Sequence, residues 1–135
     1  MTFLVDANVL CEPTRPKPDA KVVDWLTAHE RELVVDSIVL GEILAGILTL
    51  RAGRKKVRLQ QWFESLAATV ECIPWDAAVG RRWAKLVVES RRKGQPVPLL
   101  DGMIAATALQ HGFTVATRNV TDFERTGVRV FDPFA

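Results

Sequence analysis

The sequence predicts an α/β fold, with a mainly parallel central sheet of about five strands covered by helices on both faces. Short apolar runs such as Phe3–Val5 and Leu33–Val35 alternate with longer segments whose apolar residues recur at helical spacing. Strands buried on both faces show such continuous apolar runs, which favours parallel pairing. At 135 residues, without a repeat or a linker, the chain is expected to form a single domain over residues 1–135.

The elements follow one another along the chain in a regular order. Strands are predicted at Phe3–Val5, Leu33–Val35, Val70–Ile73, Val115–Ala116 and Val128–Phe131. Helices are predicted from Asp19 to His29, from Ser37 to Ala52, from Arg54 to Ala68, after the cap Asp76, and from Asp101 to His111. Between the first strand and the first of these helices, three prolines favour an extended loop at Pro13, Pro16 and Pro18.

Each helix boundary has a local reason. Asp19, Ser37 and Asp76 precede helical patterns and can cap them through a side-chain oxygen. Gly53 and Gly112 follow such patterns, where glycine commonly ends a helix.

Composition excludes several classes of protein. The chain is 48% apolar and 25% charged, which is typical of a globular domain, and its net charge of +2 indicates no general affinity for nucleic acid. Cys11 and Cys72 lie far apart, so we expect free thiols in a reducing compartment. His29 and His111 form no paired ligand motif, which argues against a zinc site.

The amino-terminal segment and the apolar stretches indicate no membrane association. Met1–Val5 has no basic region and is followed at once by an acid, so it is read as a first strand and not as a signal peptide. The longest strongly apolar stretch, Ile43–Leu50, is far shorter than the ~20 residues of a membrane span. We expect a soluble cytoplasmic protein.

Four carboxylates stand at positions where burial would be costly without a cation. Asp6 ends the first strand, and Glu42 interrupts an apolar helical stripe between Val39 and Gly46. Asp101 opens a helix, and Asp122 follows a late strand. If the fold gathers them, they form an acidic pocket for a hard divalent metal such as Mg²⁺ or Mn²⁺.

Topology supports part of this cluster. Ligands of parallel sheets bind beyond the carboxyl ends of the strands, where Asp6 and the segment from Thr117 to Asp122 are expected. Simple connectivity puts Asp101 near the opposite edge, unless the Pro96–Leu100 segment runs extended and delivers it to the active edge.

A structural alternative exists for each acid. Asp6 could form a turn, Glu42 could pair with an arginine at the surface, and Asp101 could be an N-cap. Asp122 could be a loop residue or a cap before Phe123. The remaining acids Asp36, Asp76 and Asp132 are read as caps or turn residues.

The acids lie in four segments that occur in a fixed order: LVDANVLCEPTRPKP, DSIVLGEILAG, LLDGMIAATALQHG and TVATRNVTDF. In this order they resemble the PIN-domain ribonucleases, in particular the VapC and FitB toxins of bacterial toxin–antitoxin pairs. The resemblance implies a three-layer α/β/α sandwich, a pocket that holds Mg²⁺ or Mn²⁺, a cognate small DNA-binding antitoxin and a homodimer. It matches Asp6, Glu42 and Asp101 to the first three acids of the pocket, and so puts Asp101 there.

The fourth corner of the pocket departs from the family pattern. Where relatives often carry an acid, this chain has Asn119, and the nearby carboxylate is Asp122. We assign Asp122 as the fourth acid and Asn8, Thr117 and Asn119 as supporting residues. Asp6 and Asp101 are the expected metal ligands.

The predicted reaction is in-line attack of water on an RNA phosphodiester, leaving a 3′-hydroxyl and a 5′-phosphate. Basic residues beside the pocket could contact RNA phosphates, although cations are also common at helix ends. The candidates lie in two basic segments, one with Arg51, Arg54, Lys55, Lys56 and Arg58 and the other with Arg91, Arg92 and Lys93. The tryptophans are better explained by packing than by base stacking.

Two rival functions share some of these sequence features. A phosphatase of the haloacid-dehalogenase type also begins with an aspartate after its first strand, but it needs a second acid where this chain has Asn8. A catalytically weak PIN scaffold, acting in transcriptional autoregulation through an antitoxin–DNA complex, is the alternative that Asn119 favours.

Overall fold

The computed structural model describes residues 1–135 and contains one five-stranded, fully parallel sheet in the order β3-β2-β1-β4-β5. The strands are β1 (Phe3–Val5), β2 (Leu33–Asp36), β3 (Glu71–Ile73), β4 (Thr114–Ala116) and β5 (Val130–Phe131). The α/β fold predicted from the sequence is therefore confirmed. No helix is long and apolar enough to cross a membrane.

Seven α-helices connect and cover the strands. They are α1 (Ala7–Leu10), α2 (Ala20–Ala28), α3 (Ser37–Leu48), α4 (Arg54–Thr69), α5 (Ala77–Arg92), α6 (Leu99–His111) and α7 (Val120–Glu124). Two short 3₁₀ turns lie at Glu12–Thr14 and Glu30–Glu32. The short helices α1 and α7 were not predicted, because four or five residues are too few to show a helical period.

Helix boundaries differ from the prediction in ways that local hydrogen bonds explain. The N-cap of α3 is Asp36 and not Ser37, since a carboxylate oxygen of Asp36 accepts from the Val39 amide at 2.8 Å. The same helix ends at Leu48, four residues before Ala52, and its C-terminal carbonyl at Leu48 accepts from Lys56 Nζ at 3.2 Å. Asp19 and Asp76 cap α2 and α5 as predicted.

The core fills the space between the sheet and the helices. It comprises 21 buried apolar residues, including all of β1 and, from α6, Ile104, Ala105 and Ala108. Leu4 and Val5 are fully inaccessible to solvent, as expected for the central strand of a parallel sheet. Gly112 closes α6 with a φ of 73°, a left-handed conformation in which a side chain would be strained.

Strand order reverses beside β1. The chain passes from β1 outward to β2 and β3 on one side, then returns to β4 and β5 on the other. The crevice of such a sheet lies between the carboxyl ends of the strands at this switch point, here β1 and β4. A ligand site is therefore expected among the residues that follow these two strands.

Candidate functional site

Asp6 and Thr117 meet across the switch point. Asp6 follows β1, Thr117 follows β4, and both are buried. The Thr117 hydroxyl donates to Asp6 Oδ2 at 2.8 Å, and the Asp6 amide donates to the Ala116 carbonyl at 2.9 Å. The Asp6 side chain is thus held at the carboxyl edge of the sheet by the neighbouring strand.

Both carboxylate oxygens of Asp6 accept hydrogen bonds. Oδ1 accepts from the Ala7 amide at 2.8 Å, which caps α1, and Oδ2 also accepts from Asn8 Nδ2 at 3.3 Å. Asp6 is therefore a turn-forming cap and a member of the pocket at once. Burial raises the pKa of this carboxyl, while the hydrogen bonds from Thr117, Ala7 and Asn8 oppose the rise.

Asp101 lies at the same edge, in the first turn of α6. The expectation that simple connectivity puts it at the opposite edge is wrong, because a helix that leads into the amino end of a parallel strand must begin at the carboxyl edge. The N-cap alternative is also wrong, since Pro98 occupies that position. Asn119, beyond β4, donates from Nδ2 to Asp101 Oδ2 at 2.7 Å.

The Asp101 carboxyl has a strongly perturbed pKa. Burial raises this pKa to about 6, with further contributions from the charges of Asp6 and Asp122, while the Asn119 hydrogen bond lowers it. The Asp101 carboxyl is therefore close enough to those of Asp6 and Asp122 to be repelled by both.

Glu42 lies on α3 with one oxygen, Oε1, buried and without a hydrogen-bond partner. Burial raises the pKa of this carboxyl, followed by the charges of Asp6, Asp101 and Asp36. The alternative in which Glu42 pairs with a surface arginine is wrong, because the ion pairs of the chain are Met1–Glu32 and Arg15–Glu12. Unpartnered buried polar atoms are costly, so this oxygen is suited to a ligand.

Asp36 is an acid that sequence reasoning treated only as a cap. It is fully buried at the end of β2, where it caps α3 and its Oδ2 accepts from the Thr107 hydroxyl of α6 at 2.9 Å. Burial raises the pKa of Asp36 above its ordinary value. One signal could have indicated this role: Asp36 ends a buried strand in the same way as Asp6.

The fourth corner contains both candidate residues. Asp122 lies on α7, not in a loop, and its charge raises the pKa of Asp101. The Asn119 side chain contacts Asp101 directly, and the Asn119 backbone N–H donates to Thr117 Oγ1 at 3.0 Å. Asn119 therefore connects Asp101, to which its side chain donates, with Thr117, which donates to Asp6. Asp122 acts on the pocket through its charge.

The donor set suits a hard divalent cation that keeps much of its water. All of the pocket's acids offer oxygen ligands, their charges repel one another, and Glu42 Oε1 lacks a partner. No group of three or more acidic, histidine or cysteine side chains converges into a ready-made metal site. Mg²⁺ fits such a set, because it commonly binds through one or two carboxylates and retains several waters.

A groove of about 760 Å³ leads away from Glu42. We call it the α3–α4 groove; its lining includes Asn8, Arg15, Glu42, Lys55, Arg58 and Trp62. Of the cations proposed to bind RNA, Lys55 and Arg58 line this groove. Arg15 lines it as well but was not among those proposed, because it lies in the turn after α1 and outside both basic segments.

The other proposed RNA contacts have different surroundings. Lys56 donates to the Leu48 carbonyl, so it closes the turn between α3 and α4. Arg91 and Arg92 lie in the last turn of α5, where cations favour the helix dipole. Arg54 is exposed at the first turn of α4 and does not line the groove.

Comparison with known proteins agrees with this architecture. The PIN-domain family model matches residues 3–128. The chain is 38% identical to Toxin FitB of Neisseria gonorrhoeae over 98% of both chains. It is 33% identical to the VapC ribonuclease Y4jK of Sinorhizobium fredii, over 98% of this chain and 97% of that protein.

A solved structure is also closely similar. In the structure of FitAB bound to an IR36 DNA fragment, one chain superimposes with a TM-score of 0.94 and 34% identity, covering 99% of this chain and 96% of that one. The chain therefore belongs to the PIN-domain family, among the VapC- and FitB-type toxins.

Proposed function

We propose that this protein is a metal-dependent endoribonuclease and the toxin component of a bacterial toxin–antitoxin pair. The observation that supports the nuclease best is the unpartnered, buried Oε1 of Glu42 within a set of mutually repelling carboxyls. Such a set is costly in a resting protein and is relieved when a divalent cation binds. Similarity to a protein named a VapC ribonuclease supports RNA as the substrate.

Each residue has a proposed role. Asp6 and Asp101 would hold Mg²⁺ or Mn²⁺. Thr117 and Asn8 would orient the Asp6 carboxylate, and Asn119 would orient that of Asp101. The bound cation would lower the pKa of a water and stabilise charge on a phosphoryl oxygen. Glu42 and Asp122 would position the attacking water or bind a second ion. Hydrolysis of the RNA phosphodiester would leave a 3′-hydroxyl and a 5′-phosphate.

The partners are proposed from the relatives. FitAB was solved bound to a DNA fragment, and a VapBC complex from Rickettsia felis was solved with a fragment of its promoter. We infer a cognate small DNA-binding antitoxin for this chain, contact with promoter DNA only through that antitoxin, a homodimer and a cytoplasmic location.

A second candidate is a catalytically weak scaffold that acts through an antitoxin–DNA complex. Two observations favour it: no three acids converge into a ready-made metal site, and Asn119 supplies an amide in the fourth corner. Under this candidate, the acid cluster would matter for stability but not for RNA.

The decisive experiment measures cleavage of RNA by the purified chain with Mg²⁺, with Mn²⁺ and with EDTA. The nuclease predicts metal-dependent cleavage that falls at least about 100-fold in Asp101→Ala. It also predicts toxicity on expression of the wild type but not of Asp101→Ala. Equal cleavage by both proteins, or cleavage unaffected by EDTA, would exclude this pocket as the catalyst. Promoter binding without any cleavage would favour the scaffold.

A further inference from the structure

The α3–α4 groove is continuous with the acid cluster. Glu42 and Asn8, which belong to the cluster or contact Asp6, also line the groove. Its volume of about 760 Å³ is far more than an ion and its waters need, and lies in the upper part of the ~300–1,000 Å³ range of ligand sites. A polymer with one phosphodiester at the acids would have to continue in some direction, and the groove offers one.

Apart from Glu42, every charged residue that lines the groove is positive: Arg15, Lys55 and Arg58. Lys55 and Arg58 are exposed, line the groove and form no ion pair, since the two salt bridges of the chain involve other residues. Arg15 also lines the groove, from the turn after α1, where its Nε is 3.4 Å from the buried Glu12 carboxylate. Glu12 therefore anchors one rim cation while leaving the other guanidinium N–H groups free.

The rest of the lining is largely apolar. Half-buried Trp62 and Leu59 of α4 line the groove together with Ile43 and Ile47 of α3. Proteins that bind single-stranded nucleic acid combine cations, which contact the phosphates, with aromatic side chains, on which the bases stack. Paired bases of a duplex could not stack in this way.

We propose that the α3–α4 groove binds the single-stranded RNA next to the scissile phosphodiester, with phosphates on Arg15, Lys55 and Arg58 and a base against Trp62. This inference rests on the proposed function for its substrate class. It adds a direction to the site: RNA runs from the acid cluster along α3, and the cations of α5 take no part.

The test is binding of a labelled single-stranded RNA of about 12 nucleotides in EDTA, so that no metal-dependent cleavage interferes. The variant Lys55→Ala/Arg58→Ala loses two positive charges from the groove. It is compared with Arg54→Ala/Arg92→Ala, which also loses two positive charges, but from outside the groove. Each phosphate contact to a single strand contributes about 0.7 to the slope of log K against log salt. The groove variant should therefore lose about 1.4 of slope and bind roughly 25-fold more weakly at 0.1 M salt.

Further readouts identify the occupant. RNA should quench tryptophan fluorescence in the wild type and much less in Trp62→Phe, and a duplex of the same sequence should bind at least tenfold more weakly. The proposal fails if both double variants lose equal slope, if duplex and single strand bind alike, or if the groove variant binds RNA normally and loses only a protein partner. Thermal melting of each variant checks that it is folded.

Failure of this inference is distinguishable from failure of the nuclease. RNA cleavage that is metal-dependent and unchanged in the groove variant overturns the groove proposal alone. Groove-dependent binding without cleavage under any metal supports the groove and removes the catalytic function.

Discussion

Asp6 and Glu42 share one acid cluster but are held in opposite ways. Asp6 accepts hydrogen bonds from Ala7, Asn8 and Thr117, so both of its oxygens are occupied before any ligand arrives. Glu42 has a buried oxygen with no partner. The contrast separates the fixed part of the site, which the sheet edge builds, from a part whose carboxylate is satisfied only when something binds.

The largest effect is expected at the fixed part. Asp6→Asn removes the charge but keeps a residue that can cap α1. We expect RNA cleavage to fall at least about 100-fold, because a group acting directly in the chemistry is lost. Stability should also fall by about 1 kcal/mol, since the new amide N–H₂ faces the donors of Thr117 and Asn8. Cleavage rate and thermal unfolding measure the two effects.

The control for that variant is Asp19→Asn, the same change at the N-cap of α2. It should leave cleavage unchanged. If Asp6→Asn cleaved RNA as well as this control does, Asp6 would be a structural cap only.

The roles of Asn119 and Asp122 can be separated, because loss of each should shift the pH dependence of metal binding in opposite directions. The Asn119 hydrogen bond lowers the pKa of Asp101, and the charge of Asp122 raises it. The pH midpoint for metal binding should therefore move up in Asn119→Ala and down in Asp122→Asn. Asn119→Ala should also weaken cleavage by about 10–100-fold, as for residues that orient metal ligands.

Metal titrations between pH 5 and 8 measure these midpoints. Shifts of the same sign in both variants would show that the two residues do not act on Asp101 in the way its surroundings indicate. Thr121→Ala, on the same short helix, is the matched control.

The smallest effect is expected at Glu42. Replacing this residue should stabilise the metal-free protein, whereas Asp6→Asn should destabilise it. The pKa values of Glu42 and Asp101 are raised in the folded protein, so the metal-free fold is stabilised at low pH and loses this contribution as pH rises. For Asp101 the loss falls between pH 3.8 and about 6. Glu42→Gln should stabilise the metal-free protein at pH 7 by about 1 kcal/mol at most, because solvent screens this half-buried group.

Thermal unfolding in EDTA at pH 5 and pH 7 measures this gain, with the exposed Glu64→Gln as control. The stabilisation by added Mg²⁺ should shrink in Glu42→Gln at the same time. A destabilised Glu42→Gln would mean that the unpartnered oxygen has a partner in solution.

Much of the fold was predictable because its signals are local. The apolar run before Asp6 indicates a buried central strand, and the stripe on α3 indicates that Glu42 faces inward. The family segments matched the acids to one pocket. Short helices were not predictable, so Asp122 was considered for a loop although it lies on α7.

Other features depend on contacts between distant segments. Thr107 donates to Asp36 across 71 positions of the chain, and this hydrogen bond satisfies one oxygen of a fully buried carboxylate. The groove cations depend on how α4 packs against α3, which periodicity does not reveal. Lys55 and Lys56 are neighbours in sequence, yet one lines the groove and the other closes a turn.

The sequence by itself determined the parallel α/β fold and the residue types of the pocket, because strand runs, caps and acid positions are written in local patterns. Only the tertiary structure decided how the acids are held. Thr117 became the donor to Asp6 because β1 and β4 pair side by side, so that residues 111 positions apart share one edge of the sheet. Asn119 became the donor to Asp101 because the first turn of α6 and the segment after β4 lie at that same edge.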